Sequence, residues 1–125
     1  MKNNIAFVFP GQGSQFVGMG KDLAENYEIA RDLFNQAQEI LNIDFKNILF
    51  SGPEEVLNNT KNTQPAIFTV SYILNKLLRE KGIKPQLTAG HSLGEYSALA
   101  AVNSLSFEEG LKLVRKRGLL MDEAV

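Results

Sequence analysis

The sequence predicts an α/β fold, a mostly parallel sheet with helices on both faces, and three observations carry that expectation. A continuous apolar run, Ile5-Ala6-Phe7-Val8-Phe9, ends at Pro10-Gly11 and reads as a strand buried on both faces, hence a central one. A second short strand, marked by Leu87 and Ala89 alternating with polar neighbours, turns through Gly90-His91-Ser92-Leu93-Gly94 into helix-forming residues 95–101. Between the two strands lies sequence of helical periodicity, which suits parallel strands joined by a crossover.

Helix is expected from Asp22 to Asn42, where Ile29, Leu33, Phe34, Ala37, Ile40 and Leu41 recur at helical spacing. Phe45, Ile48 and Leu49 form a further amphipathic turn. Ser51-Gly52-Pro53-Glu54-Glu55 reads as a break and a new helix start, and residues 58–62 as a polar loop. The strongest helical signal spans Thr63 to Lys81, with an apolar stripe of Ala66, Ile67, Val70, Ile73, Leu74, Leu77 and Leu78, Pro65 near its first turn and Gly82 after its end. Ser106-Phe107-Glu108-Glu109 is a capping box opening a last helix that runs on through Val125. Its apolar arc holds Phe107, Leu111, Leu113, Val114, Leu120 and Met121; Arg117 falls inside the arc, Lys116 opposite and Arg115 beyond its edge. An arginine stays charged, so in an apolar setting it needs an anion, either a structural carboxylate or that of a substrate.

Composition narrows the function. Thirteen basic against fourteen acidic residues, with no basic stripe, give nucleic-acid binding little support. No cysteine and one histidine exclude disulfides, thiolate sites and histidine-clustered zinc. No stretch reaches membrane-spanning length and no signal peptide is visible, which suits a cytoplasmic protein.

Gly90–Gly94 has the G-x-S-x-G form of a nucleophile elbow, in which a tight strand-to-helix turn lifts a serine oxygen and leaves no room for a Cβ on the flanking glycines. The plainer alternative is a glycine-rich turn whose serine caps the helix. The chain's one histidine, His91, is next to Ser92 and points away from it, so it reads as a packed or hydrogen-bonded structural residue rather than a base. Gly11-Gln12-Gly13-Ser14-Gln15 follows the first strand but lacks the Gly-Lys-Ser/Thr of a phosphate loop and the third glycine of a dinucleotide fingerprint. It offers backbone N–H groups at the sheet's carboxyl edge. Gln64, before Pro65, either points back towards a site or is a solvated cap.

Taken together, GQGSQ (11–15), TQPAI (63–67), GHSLGEY (90–96) and VRKRG (114–118) resemble, in order and spacing, the malonyl-CoA:acyl carrier protein transacylases, and the acyltransferase domains of polyketide and fatty acid synthases share the pattern. The resemblance covers the whole chain but only the N-terminal part of such enzymes. It implies that residues 1–125 are the first part of a large hydrolase-like α/β acyltransferase domain, with the ferredoxin-like subdomain and the catalytic-histidine segment absent. It implies ping-pong transfer with malonyl-CoA as substrate and no cofactor or metal: Ser92 takes the malonyl group as an ester, and the phosphopantetheine thiol of acyl carrier protein collects it for fatty acid or polyketide synthesis. The backbone N–H groups of Gln12 and Leu93 would form the oxyanion hole, Arg117 would pair with the malonate carboxylate, and Gln64 would lie near that pocket. The partners implied are malonyl-CoA, acyl carrier protein and the missing C-terminal segment, without which the chain is expected to be nearly inert. Two other readings share the residues: a serine hydrolase or thioesterase, and a non-catalytic half-domain that pairs with its complement.

Overall fold

The computed structural model describes residues 4–124. Its elements are β1 (Ala6–Phe9), α1 (Lys21–Asn26), α2 (Glu28–Leu41), α3 (Phe45–Ser51), α4 (Glu54–Leu57), α5 (Thr60–Glu80), β2 (Leu87–Gly90), α6 (Gly94–Ala101) and α7 (Phe107–Glu123). The two strands pair in parallel, Ala6 opposite Leu87 through Phe9 opposite Gly90, so the α/β reading holds.

The helix α5 is the hub. Residues from Asn62 to Thr69 are all buried, followed by Ser71, Ile73, Asn75 and Leu77, because α2, α6 and α7 surround it. Its Phe68 stacks on Phe107 of α7 at 6.1 Å between ring centroids, and Tyr72 joins them. Gly110 makes this packing possible, since a Cβ there would run into the Phe68 ring. Phe34, Phe45, Leu49 and Leu57 close the other side of the same core, all essentially without solvent contact. A second, smaller cluster joins Phe7 and Phe9 of β1 to Ala98 and Ala101 of α6.

Five expectations need correcting, one of them the last helix's run through Val125, since α7 ends at Glu123 and Val125 lies outside the described residues. The run over β1 is not buried on both faces: Phe7 and Phe9 are covered, whereas Val8 is 74% exposed. Helix is not continuous from Asp22 to Asn42, because Tyr27 is extended (φ −132°, ψ 123°) and separates α1 from α2; Arg31 donates to the carbonyl of Ala24 freed by the break. Residues 60–62 belong to α5, not to a loop, so Pro65 sits inside the helix. In α7 the arc is buried only along Phe107, Gly110, Leu111, Val114 and Gly118; Leu113, Leu120 and Met121 are exposed.

The capping box is present in full: Ser106 Oγ accepts from the Glu109 N–H at 3.1 Å, and Glu109 accepts from the Ser106 N–H at 2.9 Å. Ser106→Ala should therefore lower stability by about 0.5–2 kcal/mol, read from urea unfolding. The Ser106 backbone bond, with its side chain second, holds the Glu109 carboxyl below the ordinary glutamate range. A depressed carboxylate stabilises above its unfolded pKa and loses that contribution as pH falls through the folded one, so the difference between Ser106→Ala and the unaltered chain should shrink on acidification.

Candidate active site

Ser92 stands in the turn between β2 and α6 with φ +55°, a left-handed conformation that few residues other than glycine adopt and that marks a constrained position. The turn is tight for the reason its glycines announce. A Cβ on Gly90 would strike the backbone of Gly94, and one on Gly94 would strike the carbonyl of Phe9 at the end of β1. The serine side is exposed, whereas Leu93 behind it is fully buried and anchors the bend in the core. The Glu95 N–H donates to the Ser92 carbonyl at 3.0 Å as α6 begins.

His91 is exposed; its structural part is played by the main chain. Its N–H donates to the Phe9 carbonyl at 3.1 Å and its carbonyl accepts from Gly94 at 2.9 Å. The same carbonyl would lie 2.6 Å from a Cβ on Gly11, so the loop after β1 abuts the elbow directly. The expectation of a packed side chain does not hold.

The residues singled out by sequence converge through hydrogen bonds. Arg117 Nη2 donates to Ser92 Oγ at 3.1 Å, and Arg117 Nη1 donates to Gln64 Oε1 at 2.6 Å. Gln64 Nε2 donates to Gln12 Oε1 at 3.0 Å, and Gln12 Nε2 donates to Thr60 Oγ1 at 3.2 Å. Every amide in this relay has its orientation fixed by its neighbours. Gln64 is 1% exposed, so it is a buried link and not a solvated cap. The guanidinium of Arg117 also lies 5.5 Å from the centroid of the Tyr96 ring, a cation–π distance. No carboxylate pairs with Arg117 among the described residues; its half-buried charge meets only neutral groups.

The loop carrying Gln12 is stapled as well. Gly13 donates its N–H to Gln15 Oε1 at 2.8 Å, and Gln15 Nε2 donates to Asn58 Oδ1 at 2.8 Å. Neither the Gln12 nor the Leu93 backbone N–H has a hydrogen-bond acceptor among the described residues. Sequence reasoning gave Gln12 a backbone role only and missed its side chain. It also passed over Arg115, which is half-buried and donates to the Lys61 carbonyl at 2.7 Å and to Asn62 Oδ1 at 3.0 Å.

An apolar groove of about 500 Å³ lies away from Ser92, between β1 and α5, where Val8, Phe16, Ile67, Val70 and Leu74 face it. No described helix is long and apolar enough to cross a membrane.

Known proteins resemble this chain in sequence and fold. The acyl transferase domain family matches residues 6–125. A malonyl CoA-acyl carrier protein transacylase of Bacillus subtilis is 52% identical over 98% of the chain, which corresponds to 31% of that relative. The solved malonyl CoA-acyl carrier protein transacylase of Coxiella burnetii superposes with a TM-score of 0.93 at 46% identity, covering 98% of this chain and 39% of that one. A malonyl-transacylase solved in complex with a type II PKS acyl-carrier protein superposes equally well, 0.93 at 45% identity, over 98% and 40%. The chain thus spans between 31% and 40% of the length of these relatives. With the match running from the first strand to the last helix, this chain belongs to the acyl transferase domain family.

Proposed function

We propose that this chain carries the nucleophile and the carboxylate-binding half of a malonyl-CoA:acyl carrier protein transacylase, as the N-terminal part of its large α/β domain. The observation that carries the reading is the 3.1 Å contact between Ser92 Oγ and Arg117 Nη2. In a malonyl thioester a single methylene separates the reacting carbonyl from the free carboxylate. A nucleophile and a guanidinium this close suit that span, and a neutral acyl chain would leave the charge unanswered.

In the proposed reaction Ser92 Oγ bonds to the thioester carbonyl carbon while its proton passes to a base. The carbon–sulfur bond then breaks, and coenzyme A leaves as the thiol, taking that proton back. The resulting malonyl ester is cleaved in reverse by the phosphopantetheine thiol of acyl carrier protein. At each tetrahedral intermediate the free N–H groups of Gln12 and Leu93 would receive the oxyanion, and removal of one such donor typically costs about 2.7–4 kcal/mol of barrier. Among the described residues His91 has no bond to Ser92, and the base this reading requires would come from the further part of the fold that the relatives possess. The exposed apolar residues Val8, Leu87 and Phe16 (74%, 60% and 63%) support a complementary segment packing there. A cytoplasmic place and a role in fatty acid or polyketide synthesis go with this reading.

The test is intact mass after mixing the chain with malonyl-CoA, with and without the complementary segment of a relative, beside Ser92→Ala. A malonyl adduct that requires Ser92 and is accelerated by the added segment is expected. An adduct of equal yield on Ser92→Ala would refute the assignment of the nucleophile.

A further inference from the structure

The peptide of Lys61 is short of partners on both sides for reasons written in the sequence. Lys61 is the second residue of α5, so its N–H belongs to the first turn and has no intrahelical acceptor. Its carbonyl should accept from the N–H four residues on, but that residue is Pro65, which has none. Both gaps are filled from α7. Asp122 Oδ2 accepts from the Lys61 N–H at 3.3 Å, and Arg115 Nη1 donates to the Lys61 carbonyl at 2.7 Å. The acid also sits where a helix N-terminus favours negative charge.

Arg115 and Asp122 are seven residues apart, two turns along one face of α7. Gly118 lies between them on that face. A Cβ there would come 2.8 Å from Lys61 Cα, 2.9 Å from the Thr60 carbonyl oxygen and 3.3 Å from Gln64 Cγ. The two helices therefore cross in close contact at this point, with a polar bond on each side of the crossing. Arg117 is flanked by these residues, and its own bond to Gln64 is made one turn further along α5.

We propose that Arg115, Gly118 and Asp122 form a clamp on the Lys61 peptide that fixes the register of α7 against α5 and so holds Arg117 where a substrate carboxylate meets it. They are positioning residues, since none of them reaches Ser92. The inference rests on the malonyl reading of the site. It accounts for a proline inside α5 that would otherwise cost a helical hydrogen bond, and for an arginine that burial pulls below its ordinary pKa while Asp122 pushes it back up.

The experiment is an NMR titration of the full chain with monomethyl malonate, which has one free carboxylate beside an ester carbonyl, and with methyl acetate, which has none. Binding is followed at the Leu93 backbone N–H beside Ser92, which every variant retains, and circular dichroism reports the fold. Arg115→Met and Asp122→Ala should each weaken monomethyl malonate binding, the former by about tenfold, as substitutions beside a site without ligand contact do. Arg115→Lys should recover most of that loss, Lys116→Ala should change nothing, and the response to methyl acetate should be the same in all. The Gln64 side-chain amide signals should shift in both clamp variants. Should Arg115→Met fail to fold, Asp122→Ala, which removes the acceptor at an exposed position, decides. Unchanged binding in the clamp variants, with Arg117→Ala abolishing it, overturns the clamp and leaves the functional reading standing. Undiminished binding to Arg117→Ala overturns the functional reading, and the clamp's purpose with it.

Discussion

Gly94→Ala should destabilise the chain by about 4 kcal/mol or more, a loss at the extreme of single substitutions and comparable with the whole stability of a modest domain. The reason is not backbone conformation, since Gly94 has no positive φ. It is space: the added Cβ would run into the Phe9 carbonyl oxygen, and would also lie 2.8 Å from the Phe9 carbonyl carbon and 3.0 Å from the Pro10 oxygen. All three are main-chain atoms of β1 and the loop after it. They cannot rotate aside, and the Phe9 oxygen is already engaged by the His91 N–H at 3.1 Å. Moving them would part β1 from β2 and open the elbow. Gly13→Ala is the internal comparison, because φ there is +112° but no atom lies within 4 Å of the added Cβ. It should cost only backbone strain, on the order of 1–3 kcal/mol. Thermal unfolding followed by circular dichroism distinguishes the two, and an unmoved midpoint for Gly94→Ala would mean that the elbow does not close on β1.

That the elbow was legible in advance follows from its being local. The glycine spacing, the strand before it and the helix after it all lie within fifteen residues, and the steric demand on Gly90 is met inside the turn, although that on Gly94 comes from Phe9 and Pro10. Burial of β1 was not legible in the same way. An apolar run reports that a strand can be covered, but Val8 is covered only by whatever packs on that face, which its own sequence does not encode. Pro65 was misread for a related reason. A proline near the start of an apolar pattern usually marks the first turn, but here the helix begins five residues earlier at Thr60, and the hydrogen bond that Pro65 forfeits is replaced by Arg115, fifty residues away in sequence. Arg115 itself looked idle because helical periodicity sorts residues by apolar face, and its partners are backbone and amide groups that have no hydrophobic signature. The involvement of Gln64 was open from the sequence, and only the fold, by burying it between Gln12 and Arg117, gives each of its amide atoms a partner.

In the proposed reaction, Arg117→Ala should reduce malonyl transfer to Ser92 by about 30- to several thousand-fold, the range of 2–5 kcal/mol seen when one partner of a buried, hydrogen-bonded charge pair is removed. Transfer from acetyl-CoA should fall much less. The guanidinium is half-buried, bonded to Gln64 and Ser92 and placed over Tyr96, and its charge has no carboxylate among the described residues. A cation held this way is poorly compensated until an anion arrives, so a ligand carboxylate gains more from it than it would in water. Acetyl thioesters bring no such anion. They also leave Arg117 hydrogen-bonded to the Ser92 oxygen, where it occupies a lone pair the attack requires; the alanine variant frees that oxygen, and this offsets part of the packing loss for acetyl alone. Arg117→Lys should keep the charge but lose the two-pronged fork and the tie to Gln64, giving a malonyl-to-acetyl ratio between those of the other two. The ratio is measured from initial rates of the two Ser92 adducts by intact mass, with the complementary segment of a relative present. A ratio that Arg117→Ala leaves untouched would mean that selection of the carboxylate resides elsewhere, and that the Arg117–Ser92 contact is a resting bond with no part in choosing the substrate.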